Sequence, residues 1–166
     1  IAESLLFNHD ARQLQIVNSK AQAEGHEEFN TPAKKIQKLE LNTASEAALV
    51  ALPGVGAYTA QKIIAYRERL GGFLSLEQLS EVKGLKPEVL QVALNYLEVK
   101  QEVKPIPLNE VSYEQLKQHP YLNWNQANSI IKMRTQKGKF KSVQELEESV
   151  LIDEETYKKL LPYVSL

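Results

Sequence analysis

A chain that aligns with itself over most of its length without a gap is constrained to fold as two copies of one unit. Here an offset of 67 positions, the one that carries Asn42 onto Asn109, also lays Leu41 on Leu108, Ser45 on Ser112, Leu49 on Leu116 and Pro53 on Pro120. The match continues through Ala60 and Ala127, Ile63-Ile64 and Ile130-Ile131, Arg67 and Arg134, and Gly71 and Gly138. It ends with Phe73 and Phe140, Ser75 and Ser142, Leu79 and Leu146, and Tyr96 and Tyr163. The copies are placed at residues 41–99 and 108–166, joined by Lys100–Pro107, whose Pro-Ile-Pro ending makes a stiff spacer. Units this small bury thin cores, so mutual packing or oligomerisation would help them.

The organising stretch of the first copy is Leu52-Pro53-Gly54-Val55-Gly56, then Ala57-Tyr58-Thr59-Ala60-Gln61-Lys62-Ile63-Ile64. An apolar run stops at Pro-Gly and resumes with helical spacing, which predicts helix, tight turn, helix. Glycines there allow backbone angles closed to other residues and a close approach of another molecule. The first amides of the next helix, at Ala57, Tyr58 and Thr59, lack intrahelical acceptors and sit at the positive end of its dipole. This is a phosphate socket, with Lys62 within reach from the second turn. A second hairpin is expected at Val82-Lys83-Gly84-Leu85-Lys86, with Pro87 opening the last helix. Helices are predicted near 45–51, 57–69, 75–82 and 87–97, with Ser45 and Ser75 as caps and Leu70-Gly71-Gly72-Phe73 as the bend between hairpins.

Leu52, Gly54, Val55, Gly56, Ala60 and Ile63 match position for position the helix-hairpin-helix motif, and the flanking Leu41-Asn42-Thr43-Ala44 and Leu70-Gly71-Gly72-Phe73 resemble the DNA-receptor domain of ComEA-type competence proteins. The resemblance covers about three quarters of the chain. It implies an all-α fold of two tandem helix-hairpin-helix pairs, compact SAM-like or RuvA C-like units, after a helical or flexible N-terminal segment. It also implies a bacterial setting, cytoplasmic or membrane-anchored, and a monovalent cation on the carbonyls of Leu52 and Val55. Lys86 departs from the pattern by standing where the family has its second glycine, so a lysine side chain would take over there.

The second copy keeps the scaffold and loses the socket. Tyr121 replaces Gly54 and Asn123 replaces Gly56, and Asn tolerates positive φ well enough for a turn to persist. The last hairpin, Val150-Leu151-Ile152-Asp153-Glu154-Glu155, has acids where a phosphate would sit. Lys132, Arg134, Lys137, Lys139 and Lys141 form a candidate basic patch, with Glu145, Glu147 and Glu148 positioned to neutralise it. Arg67 and Arg134 recur in both copies, including the one without a socket, which favours a structural role. The recurrence of Phe73, Phe140, Tyr96 and Tyr163 places them in the core. Tyr121 and Trp124, an aromatic pair on a polar loop, have the composition of a protein-partner surface or a platform for an unpaired base.

Charge restrains the functional reading. Twenty Lys and Arg oppose 21 Asp and Glu, for a formal net charge of −1, which argues against a protein that coats DNA electrostatically. The chain contains no cysteine, hence no disulfide framework and no thiolate site. His9, His26 and His119 have no partners at metal or triad spacing, so a binding protein without cofactor is expected rather than an enzyme. Residues 1–40 are read as a linker or the remnant of a preceding domain, helix-compatible at Ala2–Phe7 and Ala11–Val17. No stretch is apolar enough to span a bilayer, but the start at Ile1 leaves a removed anchor open. Two functions follow: weak, sequence-independent binding of the DNA backbone in uptake or repair, with Kd of roughly 10⁻⁴ to 10⁻⁶ M, or a protein-interaction module that keeps the hairpins as scaffold.

Overall fold

The computed structural model describes residues 38–166; the reading of 1–40 as a linker or domain remnant, His9 and His26 included, lies outside them up to residue 37, and at Leu39–Glu40 it is corrected, because these residues form a strand of the first repeat. The first repeat opens with β1 (Leu39–Glu40), then α1 (Glu46–Val50) and α2 (Ala57–Leu70). A 3-10 segment (Leu76–Glu81), α3 (Pro87–Tyr96) and β2 (Leu97–Glu98) complete it. The second repeats the order with β3 (Ile106–Pro107), α4 (Tyr113–Leu116), α5 (Trp124–Lys137), a 3-10 segment (Val143–Glu148), α6 (Glu154–Leu160), a short 3-10 turn (Leu161–Tyr163) and β4 (Val164–Ser165). The chain is mostly helical, as the repeat and its hairpins predict.

Local chemistry sets the element ends. Ser45 caps α1 by accepting from the Ala48 amide, and Ser112 caps α4 by accepting from the Gln115 amide. Pro87 opens α3, where its missing N–H costs nothing. The stretch expected as a helix at 75–82 is a 3-10 segment, tightened by a capping box in which Gln78 Oε1 accepts from the Ser75 amide at 3.2 Å.

Three features hold each repeat closed. Leu39 and Glu40 pair in parallel with Leu97 and Glu98, and Ile106 and Pro107 pair with Val164 and Ser165. The segment read from its prolines as a spacer therefore ends in a strand of the second repeat. The recurring arginines clamp the same place: Arg67 Nη1 donates to the carbonyls of Leu41 and Ala44 at 2.8 and 2.9 Å, and Arg134 Nη1 to those of Leu108 and Val111, both at 2.8 Å. Asn42 exchanges hydrogen bonds with the Phe73 backbone, and Asn109 does the same with Phe140.

The cores are separate but not independent. One gathers Leu41, Leu49, Ile63, Leu70, Phe73, Leu79 and Leu97; the other Leu108, Leu116, Ile130, Phe140, Leu146 and Leu160. Tyr163, from the second repeat, is 1% exposed and belongs to the first core. Its counterpart Tyr96 is only half-buried and takes no part in the first core, so the core placement expected for both fails at Tyr96. Gln78 secures the junction, donating from Nε2 to the hydroxyls of Tyr121 and Tyr163 at 2.8 and 2.7 Å. Arg69 Nε adds a bond to the Gln118 carbonyl at 3.0 Å.

Candidate nucleic-acid interface

All four hairpins close with one hydrogen bond in the same place. The amides of Val55, Leu85, Leu122 and Ile152 donate to the carbonyls of Leu52, Val82, His119 and Ser149 at 3.0–3.1 Å. In the first repeat the residue before the donor is glycine with positive φ, +78° at Gly54 and +79° at Gly84. In the second it is Tyr121 or Leu151, and among the described residues no non-glycine residue has positive φ. A positive φ at the third position marks a type II turn, in which the central peptide is turned over relative to type I. Glycine thus decides which way the turn's middle N–H points, while the turn itself survives without it.

The helix starts differ just as consistently. Gly56 precedes α2 with φ −87° and ψ 168°, extended backbone that any residue adopts, and offers no side-chain cap. The expectation that both glycines are needed for backbone angle is therefore corrected: Gly54 uses its freedom, whereas Gly56 matters for what it lacks. The Ala60 amide donates to the Gly56 carbonyl at 2.9 Å, and among the described residues the amides of Ala57, Tyr58 and Thr59 find no acceptor. At the matching place Asn123 has φ −85° and ψ 170°, and its side chain accepts from the Gln126 amide at 2.9 Å. Asn123 thus holds no left-handed turn, as the sequence had implied; it caps α5 and fills the socket itself. Asp153 does likewise for α6, and the Thr156 amide bonded to its carboxylate holds that carboxyl below its usual range. Lys86 precedes α3 with no side-chain cap, like Gly56.

Lys62 lies between the start of α2 and the second glycine turn. Its Nζ lies 4.3 Å from the ring centroid of Tyr58, which is 71% exposed on the first turn of α2. A Cβ placed on Gly84 would stand 2.8 Å from that same Nζ. One ammonium therefore stands beside the second glycine turn and the first turn of α2, with Lys83 and Lys86 exposed on either side of the second turn. At the equivalent position the second repeat has Ser129, whose hydroxyl is engaged by Ser149 at 2.7 Å. The Leu52 carbonyl accepts the Val55 amide, and its second lone pair remains compatible with the monovalent cation implied for Leu52 and Val55.

The other expected residues are scattered. Lys137 is paired with Glu148, while Lys132, Lys139 and Lys141 are exposed. The Tyr121–Trp124 pair is split: Trp124 is 64% exposed, but Tyr121 packs on the first core and donates its hydroxyl to Glu81 at 2.9 Å. Burial, together with the Glu81 carboxylate, pushes the Tyr121 phenol up, and the Tyr66 phenol for the same reasons. Sequence reasoning overlooked Gln78 and Glu81, whose roles depend on a partner some 40 residues away. Among the described residues no three His, Asp or Glu side chains gather at metal-binding spacing, and no helix is long and apolar enough to cross a membrane.

A family profile described as a helix-hairpin-helix motif matches residues 34–98 and again residues 101–165. The chain belongs to the helix-hairpin-helix family. Among curated proteins it is similar to endonuclease/exonuclease/phosphatase family domain-containing protein 1 of Xenopus laevis, 29% identical over 66% of this chain and 24% of that protein. The Homo sapiens protein of that name is 45% identical over 30% of this chain and 9% of its own length. Human S1 RNA-binding domain-containing protein 1 is 36% identical over 39% of this chain and 6% of its length. The chain thus spans about a quarter or less of the relatives it matches. No solved structure matches. In this helix-hairpin-helix chain, the first repeat carries both glycine turns and both helix starts without a side-chain cap, and the second carries neither.

Proposed function

We propose that the first repeat binds the DNA backbone without reading sequence. The carrying observation is the uncapped start of α2 at Gly56, set against the same position filled by Asn123. A phosphate oxygen would accept from the amides of Ala57, Tyr58 and Thr59, with Gly54, Val55 and Gly56 letting the backbone approach and Lys62 supplying charge. Lys83, Gly84 and Lys86 form a second contact of the same kind. A monovalent cation held by Leu52 and Val55 would add positive charge beside the phosphate. The relatives' names, one pointing to an endonuclease/exonuclease/phosphatase family domain and one to S1 RNA binding, support a nucleic-acid setting. Holding a duplex without reading it is what both DNA uptake and DNA repair ask of such a module; the chemistry itself would belong to another domain.

Duplex binding measured against salt tests this. The wild type should bind with a salt-dependent Kd in the range of non-specific complexes, roughly 10⁻⁴ to 10⁻⁶ M. A Gly54→Glu, Gly56→Glu variant of unchanged helical content should not bind. Equal binding by that variant removes the socket from the account.

A second reading has its own support. On the second repeat Trp124, Val150 and Leu151 are 64%, 100% and 52% exposed at the positions that correspond to Ala57, Lys83 and Gly84. Where the first repeat presents amides and cations, the second presents apolar side chains, which suits a protein partner. Undetectable DNA binding at low salt would leave this reading in place.

A further inference from the structure

A cleft of about 620 Å³ opens at the junction of the repeats, and its wall is continuous with the hairpin face through Lys62 and Lys83. Arg69 and Lys159 complete its cationic lining, the first from α2 and the second from α6. In a chain with a formal net charge of −1, four cations on one cleft are a sorting of charge rather than an average. A cleft in which one sign predominates concentrates counter-ions of the other.

The one acid in that lining is Glu81, which keeps its charge but is held in place by two hydrogen bonds. Glu81 Oε2 accepts from the Tyr66 hydroxyl at 2.6 Å and from the Tyr121 hydroxyl at 2.9 Å. Tyr121 is itself held by Gln78, so docking of the second repeat fixes the position of this carboxylate, which the four cations outnumber. Arg69 spends Nε on the Gln118 carbonyl and keeps its remaining N–H groups to offer. Lys159 lies 5.9 Å from the Tyr121 ring centroid, and its surface pair with Glu155, at 2.7 Å, is of the kind that contributes little and exchanges readily.

We propose that this cleft is a second seat for the phosphodiester backbone, which takes the strand as it leaves the glycine hairpins. The second repeat then contributes to binding through Lys159 and through the restraint of Glu81, having given up its own hairpins. The proposal rests on the reading of those hairpins as a backbone site, and its test separates the two.

The intact chain is titrated with a mixed-sequence duplex at several salt concentrations, as wild type, Lys159→Gln, Lys158→Gln and Gly54→Glu/Gly56→Glu. Lys158 is the matched control: it is the neighbour on α6, likewise paired four residues back, with Glu154, but it faces away from the cleft. Lys159→Gln should weaken binding several-fold and lower the salt slope by about one, as expected when one phosphate contact is removed. Lys158→Gln should change neither. If both lysine variants behave alike while the glycine variant fails to bind, the cleft proposal is overturned and the hairpins stand. If Lys159→Gln loses affinity but the glycine variant binds like wild type, the hairpin reading falls and the cleft is itself the seat. Absence of salt-dependent binding by the wild type overturns both.

Discussion

Gly56→Asn copies the second repeat's solution into the first, and it should raise stability while lowering affinity for DNA. The backbone at Gly56 differs from that at Asn123 by 2° in each angle, −87°, 168° against −85°, 170°, and a Cβ at Gly56 would meet nothing within 4 Å. An asparagine there enters without strain and caps the Thr59 amide as Asn123 caps Gln126. A better cap adds a few tenths of a kcal/mol, and removing glycine from the unfolded chain adds about 0.4–1 kcal/mol. The sum, about 1 kcal/mol, corresponds to a rise of about 2–4 °C in Tm for a chain of this size. Binding moves the other way. A charge-assisted bond to phosphate contributes about 1.5–3 kcal/mol, so its loss weakens Kd roughly tenfold to a hundredfold. Thermal unfolding and fluorescence anisotropy on the same preparation measure both quantities. Because the variant is the more stable protein, weaker binding cannot be ascribed to unfolding. A raised Tm with unchanged Kd would refute the idea that phosphate sits on the start of α2.

Two further predictions concern the scaffold. Arg134→Ala removes both bonds to the Leu108 and Val111 carbonyls from a half-buried guanidinium; stability should fall by about 2–4 kcal/mol in urea denaturation, with the salt slope of DNA binding unchanged. His119 is 1% exposed between Tyr121 and Tyr163, its Nε2 has no partner among the described residues, and burial, with Arg69 nearby, brings its pKa down from 6.5 to about 4. The folded state therefore refuses a proton that the unfolded chain accepts. Stability is whole above the unfolded pKa near 6.5 and is lost as pH falls toward 4, by about 3 kcal/mol in all. Denaturant midpoints at the two ends of that window should show His119→Gln losing less than the wild type, and parallel losses would contradict the assignment.

The parts of this fold that were legible from sequence are those set by neighbours along the chain. Ser45, Ser112 and Pro87 mark helix starts because capping and the missing proline N–H act within one turn. Leu49, Ile63 and Phe73 announce a core by spacing and recurrence. The parallel pairs were not legible, since two residues a strand carry no period to detect. Tyr121 was misplaced for a different reason. Its composition suited an exposed loop, and only the docking of the repeats, through Gln78 and Glu81, turns it inward. Gly56 shows a third limit: the residue type was noticed, but whether its value lay in backbone angle or in an absent side chain depended on φ. The candidate basic patch, by contrast, loses Lys137 to Glu148, one of the acids that the sequence already positions to neutralise it.

The pairing of Leu39–Glu40 with Leu97–Glu98, and of Ile106–Pro107 with Val164–Ser165, has an evolutionary consequence. Each copy begins and finishes at one seam, so inserting it into a host loop, or doubling it by gene duplication, stretches nothing on either flank. Once doubled, one copy can keep its glycine turns while its twin drifts into the role of a brace.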